Sequence, residues 1–224
     1  MTGTTPNKDL MAAARINLTG LWGKSALFIL VYFLVVLPVS MIPILGGLAS
    51  WVFGGPLALG YVTFFLHIAK EEDPQISDLF SGFGKFGTAL GAYLLMGIFV
   101  LLWMLLLIIP GIIATYAYAM TYFIIAEDDN IGPLDAITKS KQMMIGNKWK
   151  LFCLNCRFIG WSILGILSLG IGFFWIWPYM NVSMAKFYQD IKGGDSDTPV
   201  EVISETKSKI LPPSDGENKP GGRF

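Results

Sequence analysis

Charged residues are scarce in this sequence. Only 14% of its 224 residues are Asp, Glu, Lys or Arg, whereas a soluble domain carries roughly 25%. The 16 basic side chains equal the 16 acidic ones in number, so bulk electrostatics give no reason to expect a nucleic-acid partner. Because 54% of the residues are hydrophobic, the scarcity of charge indicates that much of the surface does not face water.

Signs of catalysis are also missing from the sequence. It has no Ser/His/Asp set, no phosphate-binding loop and no pair of carboxylates inside an apolar segment. Such sets mark nucleophilic, phosphoryl-transfer and acid–base sites. We therefore expect that the protein is not an enzyme and has no catalytic residue, no cofactor and no metal ion.

The residues that could bind metal have simpler interpretations. Cys153 and Cys156 form a C-x-x-C pair, but a redox motif would need a βαβ context and a zinc site two further ligands. The single histidine, His67, is expected to pack or to reach the interface. The acidic clusters at residues 71–73 and 127–129 could hold a divalent cation. We favour solvated loop ends that stabilise the start of the following helix.

Three long segments of the sequence contain no charged residue. They are residues 25–69, 86–126 and 158–185. One span needs about 20 apolar residues, so the first two runs hold two spans each. The third holds two if its first helix begins near Leu151 and tolerates Arg157. The predicted fold class is all-α: a polytopic transmembrane helical bundle of about six spans. Its three helical hairpins are predicted at residues 25–69, 87–126 and 151–188.

The segments outside the hairpins are polar or amphipathic. Residues 1–24 predict a helix that begins after Asn7 and lies on the membrane surface, with a plain cytoplasmic helix as the alternative. Residues 132–150 predict a second amphipathic helix. The membrane domain is assigned to residues 25–190, and residues 191–224 have the composition of a disordered cytoplasmic tail. The predicted apolar faces of the two helices consist of Leu10, Ala14, Leu18 and Leu21, and of Ala136, Ile137, Ser140, Met143 and Met144.

The positions of the basic residues predict the orientation. Lys and Arg occur in the N-terminal segment, the two long polar loops, the edges of the spans and the tail. The turns inside the hairpins, near Pro43, Pro110 and Gly170, carry none. Cytoplasmic loops of membrane proteins are enriched in Lys and Arg. We therefore expect the charged side to face the cytoplasm and, with an even number of spans, both termini to lie there.

Two of the hairpins share an ordered pattern of residues. Pairs separated by 57 positions occur near the ends of the second and fourth spans, at Tyr61 and Tyr118, Ala69 and Ala126, and Asp78 and Asp135. Units with an even number of spans share one orientation, so this pattern predicts a parallel internal repeat about an axis along the membrane normal. The alternative is that aromatic and charged residues simply mark the edges of any membrane hairpin.

Polar side chains within the spans are the remaining candidates for a site. Arg157 would be an ionisable residue inside a span, which marks a functional position by default. It also lies close enough to Lys150 to extend to the interface, and the cluster of Asp128 and Asp129 could be its partner. The other polar residues either hydrogen-bond between helices or line a small cavity. The candidates are Tyr116, Thr121, Asn155, Arg157 and Asn181.

Several motifs resemble a bacterial membrane-protein family, the "domain of unknown function 975". They are the run PGIIATYAYAM at residues 110–120, the spaced Ala136, Ser140, Met144 and Gly146, the segment FIGW at residues 158–161, and the ending with WPY at 177–179 and FY at 187–188. The resemblance covers about residues 8–190 and implies a multi-pass protein of the bacterial plasma membrane. It implies no activity and no functional residue. Arg157 departs from the family pattern, in which a small residue precedes FIGW.

Two functions remain compatible with these observations. The first is a non-enzymatic membrane protein that binds lipid, a membrane-protein partner or a second copy of itself, through its bundle and its surface helices. The second is a small-molecule permease whose cavity is lined by the polar residues of the spans. The shortage of carboxylates within the spans argues against proton coupling but not against facilitated passage.

The even number of spans can be tested with reporter fusions. We expect a reporter fused after Gly46 and one fused after Phe224 to lie on opposite sides of the membrane, because an odd number of spans separates the two points. Side-specific enzymatic reporters measure this directly. Two reporters on the same side would contradict the six-span arrangement.

Overall fold

The computed structural model describes residue 3 and residues 5–40, 45–167 and 172–193. In this part of the chain every regular element is helical, as the predicted all-α class requires. The loop predicted near Pro43, part of that near Gly170 and nearly all of the predicted tail lie outside the described residues. The elements are α1 (Asn7–Asn17), α2 (Trp22–Ser40), α3 (Leu45–Ala69), a 3-10 helix (Ile76–Lys85), α4 (Phe86–Leu106), α5 (Ile108–Tyr118), α6 (Thr121–Glu127), α7 (Pro133–Met143), α8 (Lys148–Leu167) and α9 (Phe173–Lys192).

The long apolar helices overlap the charge-free runs. Among the described residues four segments are long and apolar enough to cross a membrane: Trp51–Ala69, Ile76–Leu106, Ile108–Glu127 and Lys148–Leu167. The pair α1 and α2, bent by 92°, would add a fifth if it forms one span. α9 is not among them, and its second half carries Lys186, Asp190 and Lys192. The chain therefore has the helices of a membrane protein, whereas the number of six spans stays a prediction.

The predicted fourth span is divided into two helices. α5 ends at Tyr118 and α6 begins at Thr121, and Ser140 of α7 lies at the break. The buried Ser140 hydroxyl donates to the carbonyl oxygen of Ala117 at 2.9 Å and accepts the N–H of Met120 at 3.2 Å. A break inside an apolar helix leaves backbone groups unpaired, which is costly away from water. Ser140 satisfies both groups and thereby stabilises the interruption.

The 3-10 helix lies directly against α3. A side chain at Gly60 would overlap the carbonyl oxygen of Leu79, and one at Gly82 would overlap that of Pro56. Glycine is required at both positions, because only a residue without Cβ allows two backbones to approach this closely. The 3-10 helix consequently follows α3 back toward the middle of that helix before α4 begins.

Buried apolar side chains concentrate in the half of each long helix that is nearer the charged loops. Phe64, Phe65 and Ile68 of α3 are buried, whereas Trp51 and Phe53 at its other end are exposed. The same division holds in the other long helices. Exposed large side chains on their distal halves include Leu34, Leu37, Leu101, Leu105, Ile109, Ile112, Ile163, Ile166, Leu167 and Trp175. We call these halves the tip halves and the opposite end the charged end.

The two predicted amphipathic helices pack against the protein itself. Leu10, Ala14 and Leu18 are buried, in contact with α9 and to a lesser extent with α3 and α8. In α7, Ala136 and Ile137 are buried against the bundle in the same way. Where these helices lie relative to a bilayer stays a prediction, but the bundle, and not lipid, covers their apolar faces.

The packing of α1 predicts a large difference between two neighbouring residues. Leu18 is fully buried directly after α1, whereas Ile16 on the same segment is 38% exposed. We expect L18A to lower the free energy of unfolding by about 3 kcal/mol, because it leaves a cavity in the core. The matched control I16A should cost no more than about 1 kcal/mol. Unfolding of the purified protein in detergent measures both, and equal effects would contradict the docking of α1.

Candidate functional site

Glu127 joins three helices at the charged end. It is the last residue of α6, and its side chain is only 10% exposed. Its Oε1 lies 2.6 Å from Nζ of Lys70, directly after α3. Its Oε2 accepts a hydrogen bond of 2.6 Å from the Tyr188 hydroxyl and pairs with Lys192, both on α9. Charge-assisted bonds of this kind are stronger than neutral ones, so Glu127 links the ends of α3, α6 and α9.

A second set of bonds attaches the N-terminal segment to α8 and α9. Asp190 pairs with Lys150 at 2.6 Å and, through its other oxygen, accepts the N–H of Thr5 at 3.1 Å. The side chain of Asn7 donates to the carbonyl oxygen of Lys150 at 2.9 Å. The N–H of Gly3 donates to Asn147 at 2.9 Å. Residues far apart in sequence thus hold the start of the chain at the charged end.

His67 has a defined partner on the 3-10 helix. Its Nδ1 lies 2.9 Å from Oδ2 of Asp78, which also accepts the N–H of Gln75 at 2.9 Å. Asn17 donates to the carbonyl oxygens of Ile68 and Ala69 at 3.0 and 3.1 Å, where α3 ends. The last carbonyls of a helix lack partners within it. These contacts therefore fix the end of α3 against α1 and the 3-10 helix.

The polar residues predicted within spans do not converge on one place. The Asn155 amide donates to the Tyr116 hydroxyl at 3.4 Å, so these two lie together between α5 and α8. Asn181 donates to the Tyr61 hydroxyl at 2.9 Å, and Trp177 bonds the same oxygen. Thr121 is fully buried, and its hydroxyl has no hydrogen-bond partner among the described residues.

Arg157 is exposed on α8 and forms no ion pair within the described part of the chain. The acidic residues considered as its partners have other contacts: Asp129 pairs with Lys85 at 2.5 Å, and Asp128 accepts the N–H of Asn130 at 3.1 Å. On the same helix Cys153 is exposed and Cys156 is half-buried, and both thiols are free.

A cleft of about 450 Å³ opens between α3, the 3-10 helix and the end of α6 with the loop after it. Lys85 and Asp129 are its charged lining residues. The ammonium group lies 2.6 Å from the carbonyl oxygen of Ile125, 3.4 Å from that of Ala126 and 2.5 Å from Oδ1 of Asp129. This volume is within the usual range for small-ligand sites, about 300–1,000 Å³. The lining residues are Leu59, Thr63, Ser81, Gly84, Lys85, Ala126 and Asp129.

Sequence reasoning missed both the connections of Glu127 and this cleft. The acidic run at residues 127–129 was visible, as were Lys70 and Lys192, but their separation in sequence gives no sign that they meet. A useful signal was the position of Glu127 as the first charge after a long apolar run. Such a carboxylate lies at the boundary where a basic partner from a neighbouring helix end is most favourable.

The connection through Glu127 predicts a loss of stability on neutralisation. E127Q removes the charge that faces Lys70 and Lys192 and should lower the free energy of unfolding by about 2 kcal/mol. The control D129N neutralises a side chain that is 83% exposed and should cost no more than about 0.5 kcal/mol. Thermal unfolding in detergent compares the two. An E127Q protein as stable as D129N would show that Glu127 does not hold the helix ends together.

Comparison with known proteins identifies a family. The family model described as "Protein of unknown function (DUF975)" matches residues 1–112 and 104–195. No curated protein and no solved structure matches the chain. The family matches together extend over most of the 224 residues, which confirms the resemblance drawn from the motifs. The chain belongs to the DUF975 family.

Proposed function

We propose that this protein is a non-enzymatic, multi-pass component of the bacterial plasma membrane that binds lipid between and around its tip halves. In this proposal the six long helical segments form three hairpins, and both termini face the cytoplasm. The charge-free runs, the four or five sufficiently apolar helices and the family membership support a membrane location. The absence of Lys and Arg from the turns inside the hairpins supports the orientation.

The observation that carries the proposal is the unequal packing of the two ends. At the charged end, most of the buried apolar side chains pack together and Glu127 forms ion pairs, although some apolar side chains, such as Trp149, are exposed there as well. On the tip halves, large apolar side chains stay exposed, and Leu34, Leu105 and Ile109 each have at least 71% of their surface accessible. Exposed apolar surface on this scale needs a nonpolar environment. Lipid chains supply that environment without any further protein.

The proposed internal repeat rests on the residue pairs separated by 57 positions. The acidic residues of the proposed repeat occupy similar positions, because Asp78 and Asp135 both lie in the first turn of a helix. α3 is continuous where its counterpart is divided into α5 and α6. The repeat is therefore proposed at the level of hairpins and not of every turn.

A permease is the second candidate, and the buried hydroxyl groups favour it. The hydroxyls of Thr121 and Tyr122 are buried without hydrogen-bond partners among the described residues. Buried polar atoms are usually paired, so an unpaired set is where a water molecule or a small polar solute would bind. The contact between Tyr116 and Asn155 is also long, at 3.4 Å, and could open to admit such a solute.

Removal and return of lipid tests the lipid-binding proposal. We expect the delipidated protein in detergent to unfold at a lower temperature and added bacterial lipid to restore the midpoint. Binding to the folded state alone stabilises it by about 2.7 kcal/mol when lipid is present at 100 times its Kd.

Mass spectrometry of the protein extracted in its native lipid belt should show bound lipid without a stoichiometric second protein. A stoichiometric protein partner, or a midpoint that lipid does not change, would contradict the proposal. An enriched small solute would favour the permease.

A further inference from the structure

The cleft around Lys85 contains an ion pair between Lys85 and Asp129 in which each partner keeps some capacity for a further bond. A lysine ammonium group has three N–H donors. Those of Lys85 face Ile125 O at 2.6 Å, Asp129 Oδ1 at 2.5 Å and, at the longer distance of 3.4 Å, Ala126 O. An N–H···O bond normally measures 2.7–3.2 Å. The third donor of Lys85 is therefore available to a stronger acceptor that enters the cleft.

Three oxygen atoms of the cleft can still accept a hydrogen bond from a ligand. The Thr63 hydroxyl donates to Leu59 O at 2.9 Å, and the Ser81 hydroxyl donates to Asp78 O at 2.7 Å, so both oxygens keep their lone pairs for another donor. The second carboxylate oxygen of Asp129 has no bond among the described residues, and its side chain is 83% exposed. These three oxygens belong to residues that line the same cleft, and their number equals that of the N–H donors of a primary ammonium group.

The surface beside the cleft is aromatic and exposed. Phe80 and Phe83 directly precede the lining residues Ser81 and Gly84, and both rings are exposed. Phe83 also contacts the exposed ring of Phe53 on α3, with 6.0 Å between the ring centres. Exposed aromatic rings at the edge of an apolar bundle are typical of the membrane interface. They give the cleft an apolar border suited to the chains of an amphiphile.

We infer that this cleft binds the headgroup of an amine-bearing zwitterionic phospholipid, with phosphate at Lys85 and ammonium at Asp129, Thr63 and Ser81. Lys85 and Asp129 already form an ion pair, so the two charges cancel, and a ligand with one charge of each sign adds no net charge to the cleft. An anionic headgroup without an amine has no ammonium group to bind the Asp129 carboxylate. A choline headgroup has the right charges but no N–H to donate. The inference rests on the proposed lipid-binding function and assigns it one specific site.

Two substitutions test the cleft without removing Lys85, which holds the end of α6 through Ile125 and Ala126. D129N removes the anion from an exposed position. G84L adds a bulky side chain to a residue that lines the cleft, and a Cβ at Gly84 meets no atom within 4 Å, so the backbone tolerates it. Gly87 has equally open surroundings but does not line the cleft. G87L is therefore the matched control.

The measurement is native mass spectrometry of the full-length protein from nanodiscs that contain equal amounts of phosphatidylethanolamine, phosphatidylcholine and phosphatidylglycerol. We expect the wild-type protein and G87L to retain phosphatidylethanolamine about tenfold over the other two, the effect of one charge-assisted hydrogen bond. D129N and G84L should lose this preference. Equal retention of the three lipids, a preference for phosphatidylglycerol, or a preference that survives in G84L would overturn the assignment.

Two further measurements separate a lipid ligand from a soluble phosphate ester, and failure of the cleft assignment from failure of the proposed function. Soluble O-phosphoethanolamine at millimolar concentration should not displace the lipid, because it lacks the chains that contact Phe80 and Phe83. Displacement by that solute would show a site for a free phosphate ester and overturn the lipid assignment. If mixed lipid still restores the unfolding midpoint but no headgroup preference exists, the cleft assignment alone fails. If lipid neither restores the midpoint nor remains bound, the proposed function fails as well.

Discussion

The arrangement of this bundle depends on the absence of a hydrophobic driving force between helices surrounded by lipid. Lipid chains are as apolar as leucine side chains, so apolar surface alone does not hold spans together. Close backbone contacts and polar bonds must do so, and here most of the long-range polar bonds lie at the charged end. Glu127, Asp190 and Asn17 each connect helix ends that are distant in sequence. The tip halves, which lack charged residues, carry the exposed apolar surface.

This division explains why α1 and α7 pack inward. Each helix has one apolar face, and the buried side of the charged end offers a surface that is shielded from both water and lipid. Leu18 and Ala14 occupy that surface in α1, and Ala136 does so in α7. α7 also supplies Ser140, which satisfies the interrupted backbone between α5 and α6. The amphipathic helices are thus structural parts of the bundle as well as its border with solvent.

Much of the helical framework could be predicted from the sequence, because the free energy of burying charge in hydrocarbon excludes charged residues from long runs. The hairpin edges predicted at residues 69, 87 and 151 agree with the end of α3 and with the starts of α4 and α8 to within about three residues. The break at residues 119–120 could not be predicted, since neither Gly nor Pro occurs there and the hydroxyl that bonds its backbone belongs to a serine on another helix. The partners of Glu127, Asn155 and Asn181 were equally hidden, because each depends on which helices become neighbours. The cleft around Lys85 requires three separate segments to meet, which no local pattern reports.

The attachment of the N-terminal segment sets an order on the assembly of the chain during translation. The bond between Thr5 and Asp190 joins positions 185 residues apart. Gly3 bonds Asn147, just before α8, over 144 residues, and Asn7 bonds Lys150 of α8 over 143 residues. The bonds to Asn147 and Lys150 cannot form until α7 has been made, and the bond to Asp190 cannot form until the ribosome has synthesised nearly the whole bundle. The first helix made is therefore among the last to reach its final contacts, and until then its apolar face must be covered by something other than α9.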